Sequence, residues 1–224
     1  MKGICYNISN YLENEYMCGR FVLLTDLKII VESFNIDNVA GKYGPDKNIS
    51  PGQRIVAVLR KDNQNSLVNF RWGLIPAWAK DPSIGSKMFN ARAETITEKP
   101  SFKDAFKRRR CIIVADGFYE WQKLGKIKKP FLFSLKSGKP FGFAGLYETW
   151  ISPDHQQIKT CTIITTEPNE LIKPIHDRMP AILSKDKEEF WIDPENQNQR
   201  ELLSVLKPDP EEDMTMVEIQ IGTR

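Results

Sequence analysis

The chain has 224 residues, of which 41% are hydrophobic and 27% are charged, and its formal net charge at pH 7 is +3. This composition is typical of a globular protein with one large or two small domains, and it argues against intrinsic disorder. No apolar run approaches the roughly 18 residues that cross a bilayer, and residues 1–16 lack the compact apolar segment of a secretory signal. We therefore expect a cytoplasmic protein.

In chain order, the apolar spacing of residues 25–35 first predicts a helix, for which Thr25 can serve as the N-cap. Runs of β-branched and aromatic residues bounded by Gly, Pro, Asn or Asp predict strands. The predicted strands are residues 54–59, 67–72, 111–115, 131–135, 141–146, 159–166 and 214–221. Further short helices are predicted at residues 103–109, 169–173, 185–191 (after a capping Ser184) and 198–206.

The predicted strands outnumber the helices and do not alternate with long helices, which disfavours a doubly wound parallel sheet. No internal repeat, low-complexity tract or obvious linker divides the chain. The sequence therefore predicts a single α+β domain. Its core would be a mixed, largely antiparallel, barrel-like β-sheet, with short helices at the periphery.

The small net charge hides an uneven distribution along the chain. Residues 101–140 carry eleven Lys or Arg against three acidic residues, whereas residues 185–218 carry four against eleven. The basic segment could bind nucleic-acid phosphates, since phosphate neutralisation and counterion release dominate nucleic-acid affinity. A solvated surface loop would explain the same charge.

The cysteines and histidines are few and widely spaced. The four cysteines form no CxxC pair, and His155 and His176 are the only histidines in the sequence. This pattern argues against a structural zinc site and against a disulfide framework. We expect free thiols, no metal and no other cofactor. The polar residues around His155 indicate an exposed turn.

The segment MCGRF, residues 17–21, contains the first candidate for chemistry. If Cys18 is the amino-terminal residue, it carries an α-amine with a pKa of ~7.7–8.0 and a thiol with a pKa of ~8.5 on adjacent carbons. The amine can condense with an aldehyde, and the thiol can then close a five-membered thiazolidine. An isolated cysteine is, however, more often a small buried hydrophobe.

Two further segments contain candidate proton donors and acceptors. Glu120 lies in DGFYEW, residues 116–121, just after an apolar strand, where burial would raise its pKa and suit it to proton transfer near neutrality. A salt bridge to a nearby lysine is the alternative. His176 lies in PIHDRMP, residues 174–180, where Asp177 or Arg178 could orient its surroundings. A structural histidine is the alternative there.

Candidate contacts to nucleic acid come from two neighbouring segments. In FNARAE, residues 89–94, Arg92 offers planar donors to phosphate. In WGLIPAW, residues 72–78, the two tryptophans could stack on bases. Taken alone, tryptophans such as Trp72 and Trp78 are more often core residues.

Taken together, these segments resemble the SRAP family, the SOS response-associated peptidase domains that shield abasic sites in single-stranded DNA through a DNA–protein crosslink. The resemblance covers the chain from Met17 almost to Ile192. The matching segments, in the order of the family, are MCGRF (17–21), NISPGQ (48–53), WGLIPAW (72–78), NARAE (90–94), GFYEW (117–121), AGLYE (144–148) and HDRMP (176–180).

The resemblance implies a set of catalytic residues. Cys18 would be the nucleophile, and Asn90 would position that terminus and the opened sugar. Glu120 would transfer protons during imine formation, and His176 would assist opening of the sugar ring. The implied enzyme is a thiol-dependent abasic-site crosslinker that uses Schiff-base chemistry and also has autopeptidase activity.

The resemblance also implies the DNA contacts and the partner. Arg20 and Arg92 would bind phosphates, while the tryptophans and prolines would form a wedge and stacking surface. The implied DNA-binding residues are Arg20, Arg92, Trp72, Pro76, Trp78 and Pro51. The expected partner is single-stranded DNA that contains abasic sites. We expect the protein to bind it as a monomer and to have no membrane partner.

One departure from the family pattern concerns the amino terminus. The family motif begins at the Met directly before the Cys, whereas here residues 1–16 precede Met17. With this extension attached, the Cys18 nitrogen is an amide and cannot form an imine. Translation could start at Met17, peptidase activity could remove the extension, or this copy could be inactive as a crosslinker. We favour the first, with the SRAP domain spanning residues 17–224.

Two functions of other classes stay open. In a cysteine peptidase, Cys18 would attack a peptide carbonyl with His176 as the base. In a noncovalent single-stranded nucleic-acid module, arginines and tryptophans would bind the strand and Cys18 would be dispensable.

Overall fold

The structure is a computed structural model that describes residues 19–208 and 211–219. Its strands are β1 Phe21–Leu23, β2 Asn38–Val39, β3 Asp46–Ile49, β4 Arg54–Lys61, β5 Gln64–Trp72, β6 Asn90–Arg92, β7 Arg110–Ala115, β8 Gly117–Leu124, β9 Ile127–Leu135, β10 Phe141–Ile151, β11 Gln157–Thr166, β12 Met179–Pro180, β13 Ile182–Leu183 and β14 Met214–Glu218. The α-helices are α1 Leu27–Ser33, α2 Lys103–Arg108, α3 Glu188–Ile192 and α4 Gln199–Ser204. Short 3-10 helices cover Pro82–Lys87, Ala93–Thr95, Lys185–Lys187 and Glu211–Asp213.

Five of these strands close into a barrel. β5 pairs with β4, β4 with β7, β7 with β10 and β10 with β11, all antiparallel, and β11 pairs back onto β5 in parallel. The closing pair aligns Thr160 with Arg71 and Cys161 with Trp72. This closure protects the edges that an open sheet would expose. The predicted α+β fold with a largely antiparallel, barrel-like core and short helices is confirmed.

A second sheet, ordered β14-β9-β8-β1-β3, packs against the barrel through aromatic side chains. The Phe21 ring lies 5.3 Å from the Trp72 ring and 5.8 Å from the Phe143 ring. Phe118 stacks on Phe133 at 5.3 Å and also meets Phe143 at 6.0 Å. Because one core of buried side chains connects the two sheets, the sheets hold each other in a fixed relation.

The predicted strands are all present within the described residues, and several of them are longer than predicted. β8 was not predicted as a strand, although it carries Glu120. The predicted helix 169–173 is absent, and residues 170–175 form turns, although the Asn169 side chain accepts a hydrogen bond from the Ile172 N–H at 3.1 Å as an N-cap does. The end of the predicted strand 214–221 lies outside the described residues.

The predicted helix caps differ from the observed ones. Thr25 does not cap α1, since its hydroxyl donates to Asp116 Oδ1 at 2.7 Å and Asp26 occupies the N-cap position. Ser184 stands at the N-cap of the predicted helix 185–191 but makes no side-chain cap hydrogen bond. At α4, the Asn198 side chain accepts from the Glu201 N–H at 3.3 Å, which is an ordinary N-cap.

The described cysteines and His155 agree with expectation. Cys111 and Cys161 are free thiols buried in the barrel, and burial raises the pKa of both thiols. Cys5 and Cys18 lie outside the described residues. His155 is exposed in a turn with φ 61°. No helix in the described part of the chain is long and apolar enough to cross a bilayer.

Candidate active site

The described chain begins directly beside Glu120. Phe21 pairs with Phe118 across the β1–β8 ladder, and the Tyr119 N–H donates to the Arg20 carbonyl at 2.9 Å. Glu120 is the next residue of β8, and only 1% of its surface is exposed. Cys18, which the resemblance makes the nucleophile, is the residue before Gly19 and lies outside the described residues.

The turn between β7 and β8 fixes β1 in this place. The Asp116 carboxylate accepts hydrogen bonds from the Leu24 N–H at 2.6 Å, the Thr25 N–H at 2.9 Å and the Thr25 hydroxyl. The next residue must be glycine, because a Cβ at Gly117 would lie 2.6 Å from the Phe133 carbonyl oxygen. This close approach sets the β8–β9 register and so the position of Glu120 in the sheet.

His176 is held by the backbone two residues later. The Arg178 N–H donates to His176 Nδ1 at 3.0 Å, so the proton of the neutral imidazole is on Nε2. Burial lowers the pKa of His176, and the positive charges of Lys123 and Arg178 act in the same direction. The Asp177 carboxylate, 3.1 Å from Nδ1, opposes the shift but is largely exposed. His176 is therefore neutral at pH 7, with its Nε2–H available as a donor.

The Arg178 side chain anchors the His176 segment to the segment after Asn90. Its guanidinium donates to both oxygens of Glu94, at 2.8 and 2.9 Å, and to the Thr165 carbonyl at 2.7 Å. Partial burial alone would raise the pKa of Glu94, but the hydrogen bonds and charge of Arg178 outweigh it and lower that pKa. This bidentate pair connects two motifs that are far apart in sequence.

The end of β11 brings these two motifs together. β6 runs parallel to β11 on one side, with Asn90 opposite Ile163 and Arg92 opposite Thr165. β12 pairs with β11 on its other side, with Pro180 also opposite Thr165. Asn90 is half-buried and Arg92 is exposed. The motifs NARAE and HDRMP therefore flank a single strand.

Two contacts connect these motifs to Glu120 and to the first described residues. The Gln122 amide donates to the Pro174 carbonyl at 3.2 Å, so β8 contacts the segment that carries His176. The Trp72 indole N–H donates to the Phe89 carbonyl at 2.8 Å, and the Trp72 ring contacts Phe21. The structure thus places Asn90, Glu120 and His176 on neighbouring elements around the first described residues.

The expected stacking surface needs a correction. Trp72 is 1% exposed and Pro76 is also buried, so neither can stack on a base in this conformation. Trp72 instead has the core role that its sequence allowed as the alternative. Trp78 is 59% exposed and remains available for stacking.

The other expected DNA contacts lie at the surface. Arg20 is half-buried, and its guanidinium donates to Asn48 Oδ1 at 2.7 Å. Pro51 is half-buried in the turn before β4, and Arg92 is exposed. The sequence did not predict that Glu94 pairs with Arg178. The one sequence signal for Glu94 was its position in the matching segment NARAE.

This arrangement combines a buried carboxylate with a neutral imidazole of fixed tautomer. A carboxyl group can exchange a proton with a reactant, and the imidazole Nε2–H can donate a hydrogen bond. Arg92 and Trp78 offer a cation and an aromatic face to a nucleic-acid strand. No group of three or more His, Cys, Asp or Glu in the described ranges could hold a metal ion.

Comparison with known proteins assigns the class. A model of the SOS response associated peptidase (SRAP) family matches residues 17–222. The chain therefore belongs to the SRAP family, which confirms the resemblance seen in the sequence. A protein of solved structure from Bacteroides thetaiotaomicron has the same fold, with a TM-score of 0.84 at 29% identity, and the match covers 91% of this chain and 92% of that one.

Within the family, the chain is similar to proteins that carry one common name. It is 49% identical over 206 residues to the abasic site processing protein YoqW of Bacillus subtilis, covering 91% of this chain and 92% of that protein. It is 50% identical to the abasic site processing protein YoaM of the same organism, covering 91% of each. The abasic site processing protein HMCES of Gallus gallus is 32% identical, over 75% of this chain and 60% of that protein.

Proposed function

We propose that this protein captures abasic sites in single-stranded DNA as a covalent adduct of Cys18. The observation that carries the proposal is the position of Glu120, buried beside the residues that follow Cys18 and joined through Gln122 to the segment of His176. The names of its relatives, abasic site processing proteins, support the same substrate.

The first chemical step is opening of the abasic sugar, which is mostly a closed hemiacetal. Opening moves the hydroxyl proton off the anomeric oxygen and places a proton on the ring oxygen, which leaves a free aldehyde. The neutral His176 can donate a hydrogen bond from Nε2 to the ring oxygen as its bond to carbon breaks, while water supplies the proton itself. A single well-placed donor of this kind contributes about 10²–10³-fold to a rate.

Capture of the aldehyde then proceeds by addition and loss of water. The α-amine of Cys18 adds to the aldehyde carbon to give a carbinolamine. Protonation of its hydroxyl by Glu120 expels water, and return of the nitrogen proton to the Glu120 carboxylate leaves an imine. The Cys18 thiol adds across the carbon–nitrogen double bond, with its proton passing to nitrogen, and closes the thiazolidine. The net reaction joins the aldehyde and the aminothiol with release of one water.

Ring closure explains why a thiol is needed beside the amine. An imine at the sugar carbon withdraws electrons and permits β-elimination, which cuts the DNA strand. Addition of the sulfur makes that carbon tetrahedral and removes the electron sink. The adduct therefore shields the lesion and leaves the strand intact.

The remaining site residues bind the substrate. Asn90 positions the new amino terminus and the opened sugar, from a strand next to the His176 segment. Arg20 and Arg92 bind phosphates, Trp78 stacks on a base beside the lesion, and Pro51 contacts the strand. The duplex must be open at the lesion for a base to reach Trp78, so the substrate is single-stranded or a junction.

The reaction requires that Cys18 be the first residue of the active protein. Translation from Met17 followed by loss of the methionine would produce this terminus. Cleavage of the Met17–Cys18 bond by the protein itself would give the same product, through the peptidase activity of the family name. The intact mass of the protein purified from cells with and without the Cys18→Ala change separates the two, since self-cleavage requires the wild-type thiol.

The central test is adduct formation with a synthetic oligonucleotide containing one abasic site. Protein that begins at Cys18 should give a heat-stable conjugate whose mass equals the sum of the two components less one water. Cys18→Ala should give no stable conjugate. Cys18→Ser keeps the amine but lacks sulfur, so it should give an imine that borohydride traps and heat reverses.

Protein with residues 1–17 attached is the matched control, because its Cys18 nitrogen is an amide. Equal crosslinking by Cys18→Ala and wild-type protein would show that another group is the nucleophile. Tight, salt-sensitive binding without any conjugate would instead support a noncovalent single-strand binding module.

A further inference from the structure

The outer part of the β8–β9 hairpin extends beyond both of its neighbouring strands. β8 pairs with β1 at Gly117 and Phe118, and β9 pairs with β14 only as far as Phe131. Within the described chain, residues 122–129 therefore pair only with each other across a turn at Gly125. We call these residues the hairpin arm.

The hairpin arm carries a cluster of positive charge. It contains four lysines and no acidic residue. Lys123 lies directly opposite Lys128, an arrangement that destabilises a strand pair. Lys129 meets Glu218 at 3.4 Å, but no described carboxylate lies within salt-bridge distance of Lys126 or Lys128. Such an arrangement is stabilised when a polyanion binds it.

The tip of the arm is apolar. Leu124 and Ile127 lie opposite each other and are 49% and 65% exposed. Side chains alternate along a strand, so Leu124 lies on the same face of β8 as Gln122 and Glu120. Leucine and isoleucine are among the side chains that nucleic-acid-binding proteins insert between base steps. Lysines around exposed aliphatic side chains therefore suit a strand of nucleic acid.

The arm is continuous with the candidate active site. The same strand carries Glu120, and the Gln122 side chain contacts the Pro174 carbonyl. Lys123 is close enough to His176 for its charge to lower the pKa of the imidazole. A strand bound at the site would therefore pass directly onto the arm.

We propose that the hairpin arm binds the DNA that flanks the abasic site on one side, with Lys126 and Lys128 on its phosphates and the aliphatic tip against its bases or sugars. The inference rests on the proposed function for its partner. The four residues from Glu120 to Leu124 span about 14 Å at ~3.4 Å per residue. This length corresponds to about four nucleotides at the ~3.4 Å spacing of a B-form strand.

The test compares two double variants at opposite ends of β9. Lys126→Gln/Lys128→Gln removes two charges from the arm. Lys136→Gln/Lys139→Gln removes two exposed charges from the turn between β9 and β10 and serves as the matched control. Binding of an undamaged single-stranded oligonucleotide is measured by fluorescence anisotropy from 50 to 200 mM salt, and conjugate formation on an abasic oligonucleotide is scored separately.

Each phosphate contact on single-stranded DNA contributes about −0.7 to the slope of log K against log salt. The arm variant should therefore have a slope about 1.4 shallower than wild type. Wild-type affinity would then fall about sevenfold more than that of the variant between 50 and 200 mM salt. The control and a Lys126→Arg/Lys128→Arg variant should keep the wild-type slope. Oligonucleotides with fewer than about four nucleotides on the bound flank should lose the difference between arm variant and wild type.

The two proposals can fail separately. An unchanged slope in the arm variant, or an equal change in the control, overturns the arm proposal even if conjugates form normally. If the wild-type protein forms no conjugate while the arm variant has the shallower slope, only the proposed function is overturned. If the arm variant loses binding to anionic phosphatidylserine vesicles and keeps its DNA slope, the arm is a membrane contact and the proposal is wrong.

Discussion

Two buried arginines lie in different regions of this protein. Arg110 holds chain segments outside the candidate active site, and Arg178 lies next to His176. Arg110 joins β7 to α2, to α3 and to the segment after α3 by donating only to main-chain carbonyls. The acceptors are Trp191 at 2.6 Å, Phe106 at 2.7 Å, Lys107 at 2.5 Å, Asn196 at 3.0 Å and Asp193. Arg178 instead donates to the carboxylate of Glu94 and to one carbonyl, while its own backbone N–H holds His176.

The difference shows how burial alone fails to identify a functional charge. The Arg110 guanidinium has its donors occupied by backbone, and burial lowers its pKa to about 10, so it stays charged and serves only to fix chain segments. The partner of Arg178 is a side chain, 44% exposed, next to the segment that orients an imidazole. The identity of the acceptors therefore distinguishes Arg110, which binds only backbone carbonyls, from Arg178, which is a candidate for positioning His176.

The largest expected effect is on stability at Arg110. Arg110→Gln leaves several buried carbonyls without a donor and should lower the free energy of unfolding by about 3–5 kcal/mol. Urea denaturation measures the loss. The neighbouring exposed Arg108→Gln is the control and should change the stability by no more than about 0.5 kcal/mol. Equal losses in the two variants would show that the carbonyl contacts contribute little.

Arg178→Gln should have a smaller effect on stability, about 1–3 kcal/mol, because its carboxylate partner is partly exposed. Its conjugation rate, measured on the folded fraction, should fall, whereas folded Arg110→Gln should react as wild type. Arg178→Lys keeps the charge but not the bidentate geometry, so it should recover stability more than rate. If both arginine variants keep the wild-type rate, Arg178 does not position His176.

Glu188, in the region around Arg110, should affect how stability depends on pH. Burial raises its pKa from 4.5 to about 7, more than the Lys185 charge lowers it. A raised folded-state pKa stabilises the fold below pH 4.5, and this stabilisation is lost as the pH rises toward 7. Wild-type stability should therefore fall relative to Glu188→Gln across this window, by up to about 1.4 kcal/mol per pH unit. Parallel curves for the two proteins would contradict the burial argument.

The smallest expected effect on stability is at His176, and it has the opposite sign. Its folded-state pKa is lowered by burial, so the neutral form stabilises the fold above pH 6.5 and this contribution is lost as the pH falls below that value. Urea denaturation from pH 5 to 8 should show wild type losing stability relative to His176→Gln at the acidic end. An unchanged difference across that range would mean that the imidazole is not desolvated.

The sequence predicted the barrel better than it predicted the site. Strands of the barrel are continuous β-branched runs such as Cys111 to Ala115, whose burial on both faces is visible as hydrophobicity alone. Short strands such as β6 and β12 have two or three residues and are strands only because β11 lies between them. No local periodicity can reveal a pairing of that kind.

The candidate site also depends on contacts between residues that are far apart in the sequence. Family segments predicted Asn90, Glu120 and His176 as site residues, but the bidentate pair of Glu94 and Arg178 joins residues 84 positions apart. For Trp72, the motif led to a wrong prediction. Its place in a motif next to Trp78 suggested a surface role, yet its indole N–H is used inside the core. Burial of an aromatic residue follows from tertiary packing and is not encoded in its neighbours.

The parallel closure of the barrel has a consequence for synthesis on the ribosome. β5 meets its last partner only when β11 has emerged, long after β4 and β5 have formed their hairpin. Until then the nascent chain exposes two unpaired sheet edges, which are templates for association between chains. Topologies dominated by such distant pairings also fold slowly. Truncation anywhere before Thr166 should therefore yield an aggregating product rather than a smaller folded domain.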